Sequence, residues 1–361
     1  MHVEENKTEG SKGIKEGYLK YARIKILFII GCVIALFFLS VFTIGLGDTD
    51  LSYMDIIKQL FRPDGTWDTT VVWDLRFRMI VAAILAGAAL GVAGSVMQSI
   101  LRNPLASPFT LGLSNASAFG ASLAILFFNG GVIVRSSSTA AISISSPVVV
   151  TLCAFAFAMI ATGVMLLLVK VTGCTPETIV LAGTALSSIF SAGLAFLQFV
   201  AEDTALAAIV YWQFGSLSKV SWNQLMIIGG ILLIVGAYFM YKRWDYNAME
   251  SGEDVARGLG VNIIRTRFVG LVMSAVLTAV VVSFMGVIGF IGLVGPHMVK
   301  RIIGNDNRYV LPGSMAVGAL VLLLAYIVGS YAMPSVIPVG IITSAIGGPL
   351  FIWILVRGYR K

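Results

Sequence analysis

The chain has 361 residues, 58% of them hydrophobic and only 12% charged, with a mean hydropathy of +0.92. A soluble domain carries about a quarter charged residues, so a soluble enzyme, a disordered chain and a disulfide scaffold are excluded. The formal charge of +7 lies mostly where cytoplasmic loops of a membrane protein are expected, which argues against nucleic acid as a partner.

Residues 1–24 are polar and mixed in charge and read as a cytoplasmic tail. The apolar run 26–46 is too long for a signal-peptide core of about 7–15 residues and lacks a small-residue cleavage site. It reads as the first span, and residues 25–361 as a single transmembrane domain. At about 20 residues per span, further spans are expected at 79–101, 110–128, 148–169, 178–200, 225–241, 268–287, 288–303, 311–332 and 338–356. The seventh and eighth are continuous in apolar sequence, and only Gly286 and Gly289 suggest a turn between them. The fold class is therefore an all-α polytopic bundle of about ten transmembrane helices. With both termini cytoplasmic, 19 of the 25 Lys and Arg fall inside and 6 outside, the bias expected of cytoplasmic loops.

The second span carries Gly87, Gly91 and Gly94 at i, i+4 and i+7 and ends at Gln98. Small residues at this spacing let helix backbones approach closely in lipid, so the stripe should face neighbouring helices and Ala83 should face lipid. Just outside this span lies the basic pair Arg76 and Arg78, which can meet carboxylates on a partner. After the span, Asn103, Pro104, Ser107 and Pro108 break the helix and can satisfy freed backbone groups. The longest inside loop, 242–267, centres on Ser251, Gly252, Glu253 and Asp254, with Ala256, Arg257, Gly258, Leu259 and Gly260 following. Ser251 is expected to cap a short helix whose first turn holds the two acids and which the glycines end. That pattern suits a docking element outside the membrane. Farther on, His297 has no histidine or carboxylate partner nearby in sequence and reads as a helix-end residue, and Pro349 should kink the last span.

No Asp, Glu, Lys or Arg falls in the middle of a span. An ion-coupled secondary transporter commonly needs one, so that class is the alternative, and uphill transport would draw its energy from outside the membrane. Cys32, Cys153 and Cys174 are scattered without metal-type spacing. No catalytic cluster, metal site or bound cofactor is read, and an embedded enzyme is disfavoured.

Arg102-Asn103-Pro104-Leu105-Ala106-Ser107-Pro108 with Leu111-Gly112-Leu113-Ser114 resembles the signature of the FecCD family, permease subunits of ATP-binding-cassette importers for iron-siderophores, haem and cobalamin. The glycine stripe ending in Gln98 is similar to that family's second helix. Gly252-Glu253, Ala256-Arg257 and Leu259-Gly260 resemble its coupling segment, here at about 248–262. Gly289 to His297 with Lys300-Arg301, then Pro338 to Gly340 and Gly347 to Phe351, resemble its later motifs. The resemblance covers about residues 25–360. It implies two permease copies enclosing a path, two cytoplasmic ATPases that use ATP, and an extracytoplasmic binding protein that delivers a metal chelate. The family often has an Arg-x-Pro-Arg run before the second helix and charges around the ninth. This chain has Arg76-Phe77-Arg78 and uncharged Ala325, Tyr326, Ser330 and Val336 there, which leaves Arg76 and Arg78 as candidates for holding the binding protein.

Overall fold

A computed structural model describes residues 2–47, 51–128, 131–136, 139–144, 147–172, 175–332 and 335–358, with side chains described except at 2–20, 131–144, 169, 172, 354, 355, 357 and 358. Readings that rest on Cys174, on the side chain of Arg135 or on the last three residues lie outside the described residues.

The first helix, α1 (His2–Gly45), runs without a break from the polar tail through the first apolar run. Next follow α2 (Tyr53–Phe61) and α3 (Trp67–Thr70), which the composition alone did not suggest. Alpha-helical winding then widens to π-type turns over Val71–Phe77 and leads straight into α4 (Arg78–Leu101). Next come α5 (Leu113–Phe127), an antiparallel hairpin of β1 (Gly131–Ser136) and β2 (Thr139–Ile144), α6 (Pro147–Thr172), α7 (Pro176–Val200) and α8 (Asp203–Gln213). The rest is α9 (Trp222–Tyr241), α10 (Arg243–Glu250), α11 (Glu253–Gly258), α12 (Ile263–Met285), α13 (Ile291–Ile303), α14 (Asn307–Tyr331) and α15 (Val339–Gly358).

Ten of these helices fall on the ten expected spans. Seven are long and apolar enough to cross a membrane, while α5, α13 and the apolar part of α15 are shorter. The doubtful turn between the seventh and eighth spans is a real break. Gly286 at φ +80° closes α12, and Phe290 at φ +66° opens α13. Apart from the hairpin, the described regular elements are helical.

Local chemistry sets the helix starts. Thr175 accepts from Thr178 N with Pro176 in the first turn, a conformation proline prefers. Ser221 and Gln224 form a reciprocal capping box on α9. Helix α4 sits at the centre, packed by α9, α12, α13 and α14.

Candidate functional site

The glycine stripe of α4 lies in its tightest contacts. A Cβ on Gly87 would run into the carbonyl of Gly318, one on Gly91 into that of Ser314, and one on Gly94 into that of Gly292. The first two belong to α14 and the third to α13. No methyl group fits, because the neighbour in each case is backbone rather than a side chain that could swing away. One turn on, Gln98 Nε2 donates to Leu293 O of α13 at 3.4 Å. Ala83, expected to face lipid, is fully buried. The partly exposed residues of α4 at that level are Val81, Ile84 and Leu85, so Ala83 points into the bundle and the expectation is corrected.

At its C-terminal end α4 stops abruptly. Arg102 adopts a left-handed conformation at φ +48°. Asn103 N donates to Gln98 O, and Asn103 Oδ1 accepts from Leu105 N at 2.9 Å, so the turn at Asn103-Pro104 closes on itself. Ser107 and Thr110 then form a capping box, and Gly112 at φ +82° starts α5. Asn115 Nδ2 donates to Ser187 O, which fastens α5 to α7.

The loop 242–267 carries two short helices. Ser251 does not cap the second, as expected; it closes α10, with its Oγ donating to Asn247 O. Gly252, at φ +127°, makes the corner instead, because only glycine takes that conformation freely. The end of α11 is a Schellman closure: Gly260 N bonds Arg257 O at 3.0 Å and Val261 N bonds Ala256 O at 2.9 Å, with Gly260 at φ +80°. Ala256 is buried beneath α11, whereas Val255, Arg257 and Leu259 are exposed, Leu259 at 69%. Beside them opens a cavity of about 400 Å³ lined by residues including Thr175, Glu253, Arg257 and Asn262.

Residues that pattern reading passed over tie this pair to the bundle. Arg267, almost fully buried in α12, donates from Nη2 to Glu253 Oε1 at 2.8 Å and from Nε to Ile100 O of α4 at 3.0 Å. This Arg267 hydrogen bond holds the Glu253 carboxyl below its ordinary value. Glu250 accepts from Ser99 Oγ and from Lys300 Nζ. The available signal was Arg267 itself, a charge just inside an apolar helix, which requires a partner.

At the N-terminal side of α4, Arg76 is not a surface charge. It is 5% exposed and its Nη1 donates to Ile44 O at 3.0 Å, so it fastens the end of α1. Its assignment to a partner surface is corrected, because the carbonyls freed at the end of α1 draw the guanidinium inward. Arg78 is half-buried, with Nε unpartnered among the described residues. Nearby, Trp73, Phe77 and Trp222 cluster with ring centroids 5.3–5.8 Å apart, and Trp222 Nε1 donates to Asp74. Three glycine turns also interlock on this side. Ser216 N donates to Met285 O at 2.7 Å and Gly340 N to Gly215 O at 3.3 Å, while a Cβ on Gly286 would strike Trp212 O.

Residues 32–357 match the model of the FecCD transport family. A Methanocaldococcus jannaschii protein named as an ABC transporter permease is 44% identical, over 96% of this chain and 99% of that protein. The Fe(3+)-citrate import system permease of Bacillus subtilis is 33% identical, over 93% of this chain and 96% of its own length. A metal-chelate type ABC transporter solved in an inward-facing conformation superposes with a TM-score of 0.77 at 28% identity, covering 92% of this chain and 99% of that one.

Proposed function

The chain belongs to the FecCD transport family, and from that premise we propose that it carries a metal chelate of the iron-siderophore, haem or cobalamin class. It is a multi-pass membrane permease, the transport subunit of an ATP-binding-cassette importer, and ATP hydrolysis resides in a separate ATPase. In this reading two copies of the chain enclose the path, both termini are cytoplasmic, and a binding protein delivers the chelate to the outer face. Arg78 keeps a part in that docking and Arg76 does not.

The coupling segment is 248–262, with Gly252, Glu253, Ala256, Arg257, Leu259 and Gly260 as its parts. The observation that carries this is the exposure of Val255 and Leu259 on a short helix of the inside loop. No lipid covers a helix in that position, so a protein groove is the fitting partner for its apolar side. Gly87, Gly91, Gly94 and Gln98, with the Asn103-Pro104 turn, form the sliding contact of the path. No ion pair lies in that contact, so it can shift without separating buried charges.

The test is Gly260→Trp, which strains a left-handed position and adds bulk beside Leu259. ATP-driven uptake into proteoliposomes is expected to be lost while the permease keeps its elution volume and thermal midpoint. Unchanged uptake would remove the segment from this role.

A further inference from the structure

Behind the exposed face of the coupling segment, a set of charged and amide side chains joins α10 and α11 to α4, α12, α13 and α14 at the cytoplasmic end. Glu250, at the end of α10, has a side chain 14% exposed, and that of Lys300 on α13 is 16% exposed. Glu250 Oε1 accepts from Lys300 Nζ at 2.7 Å and from Ser99 Oγ of α4 at 2.6 Å. One turn earlier, Asn247 accepts from Asn307 N of α14 at 2.7 Å and donates to Asp306 at 3.1 Å. Past the Gly252 corner, Glu253 holds Arg267, which reaches Ile100 O. Glu250 directly, and Glu253 through Arg267, thus reach adjacent residues, Ser99 and Ile100, at the end of one helix.

A buried ion pair adds little net stability over an apolar pair of the same size. A solvated loop helix gains nothing by drawing the Glu250 carboxylate inward. What such pairs supply is a fixed geometry between the groups they join. The place of this one matters. Ser99 lies five residues from Gly94, about 7.5 Å along the helix axis, and Gly94 and Gln98 are the α4 residues that meet α13 at Gly292 and Leu293. Lys300 is on that same α13.

We propose that Glu250, Lys300 and Ser99 form a rigid joint through which displacement of α10 and α11 passes to the cytoplasmic ends of α4 and α13. The proposal rests on the docking reading above. Glu250 and Lys300 are positioning residues: they touch neither chelate nor nucleotide, and act through the helices they hold together.

The test uses the permease with its ATPase in lipid nanodiscs, native cysteines replaced, and spin labels at exposed Ser251 and Leu105. A second pair, Ser251 and exposed Phe199 on α7, gives an outside reference. Between the nucleotide-free and the ATP-vanadate-trapped complex, the 251–199 distance is expected to shift by about 2 Å or more, and the 251–105 distance to stay constant. In the double variant Glu250→Ala, Lys300→Ala, which leaves no lone buried charge, the 251–105 distance should change by a similar amount. The exchanged pair Glu250→Lys, Lys300→Glu should make it constant again. A 251–105 distance that changes in the parent, or stays constant in the double variant, overturns the joint. The docking reading is tested apart from this, by whether the ATPase still copurifies with Gly260→Trp, in which Glu250 and Lys300 are intact.

Discussion

Helices α1 and α4 both cross the bundle's full height, yet they are held in opposite ways. In the apolar stretch ending in α4, 83% of residues are buried; in that of α1, 6% are. Helix α4 is held along its length, backbone against backbone, through Gly87, Gly91 and Gly94. Helix α1 shows Phe37, Phe38 and Phe42 to its surroundings and is fastened near the two ends of its apolar stretch, Tyr21–Gly45, by single cations. At one end Arg76 donates to Ile44 O; at the other Lys25 is buried with its Nζ 4.0 Å from the Tyr21 ring centroid and 5.1 Å from that of Tyr309. In lipid, apolar side chains gain little by leaving the hydrocarbon for each other. A membrane helix therefore stays in place by close backbone contact or by polar groups that lipid cannot satisfy, and these two helices each use one of those means.

The largest expected effect comes from enlarging a glycine on each helix. Gly91→Leu forces a side chain against Ser314 O of α14, whereas Gly31→Leu on α1 meets nothing within 4 Å. Overpacking costs about 1–3 kcal/mol, and where backbone blocks the site the upper part of that range applies. Thermal midpoint in detergent should fall and uptake be lost for Gly91→Leu, with Gly31→Leu close to the parent. Equal midpoints for the two variants would mean that α4 is not held by this contact.

A smaller effect is expected from loosening α1. Arg76→Met removes a hydrogen bond from a charged group, worth about 1.5–3 kcal/mol, and leaves the carbonyl of Ile44 unmatched. Amide exchange should rise over residues 40–47 while α4 keeps its protection. If protection over 40–47 is unaltered, the clamp is not what holds α1.

What was legible in the sequence follows the same division. The ten spans could be read because lipid demands long apolar runs, and the glycine stripe because its spacing has one geometric meaning on a helix. Ala83 could not be placed, since alanine is equally at home in lipid and in a packed core. Arg76 was misplaced because a guanidinium satisfied by a carbonyl 32 residues back has the same sequence appearance as one awaiting a partner. The contacts among Ser99, Glu250 and Lys300 were invisible for a related reason. Ser99 and Glu250 are 151 residues apart, and Glu250 and Lys300 50, and no local pattern links them. Helix α8 and the hairpin occupy connections whose composition is mixed, so neither period stood out, whereas α2 carries a helical apolar spacing at Ile56, Ile57 and Leu60 that a reading for long spans passes over. The Gly252 corner was read one residue early, because Ser251 is as good a cap residue as the chain offers there and only the backbone angle separates the two.

The smallest effect is one of pH, and it again sets the two means of attachment apart. The Glu253 carboxyl is held below its ordinary value of 4.5, chiefly by the hydrogen bond from Arg267. A carboxyl lowered in the folded state contributes stability above its ordinary value and loses it as pH falls through the lowered one. Attachment of α11 should therefore be constant from neutral pH down to about 5 and weaken only below 4.5. The Glu253 side chain is partly exposed, so the change is small. The contacts of Gly87, Gly91 and Gly94 contain no titratable group and should not respond over that interval. Hydrogen exchange of residues 253–258 against 87–94, corrected for the intrinsic pH dependence of exchange, reads both at once. Loosening of 253–258 already between neutral pH and 5 would show that some group other than Glu253 holds α11 to the bundle.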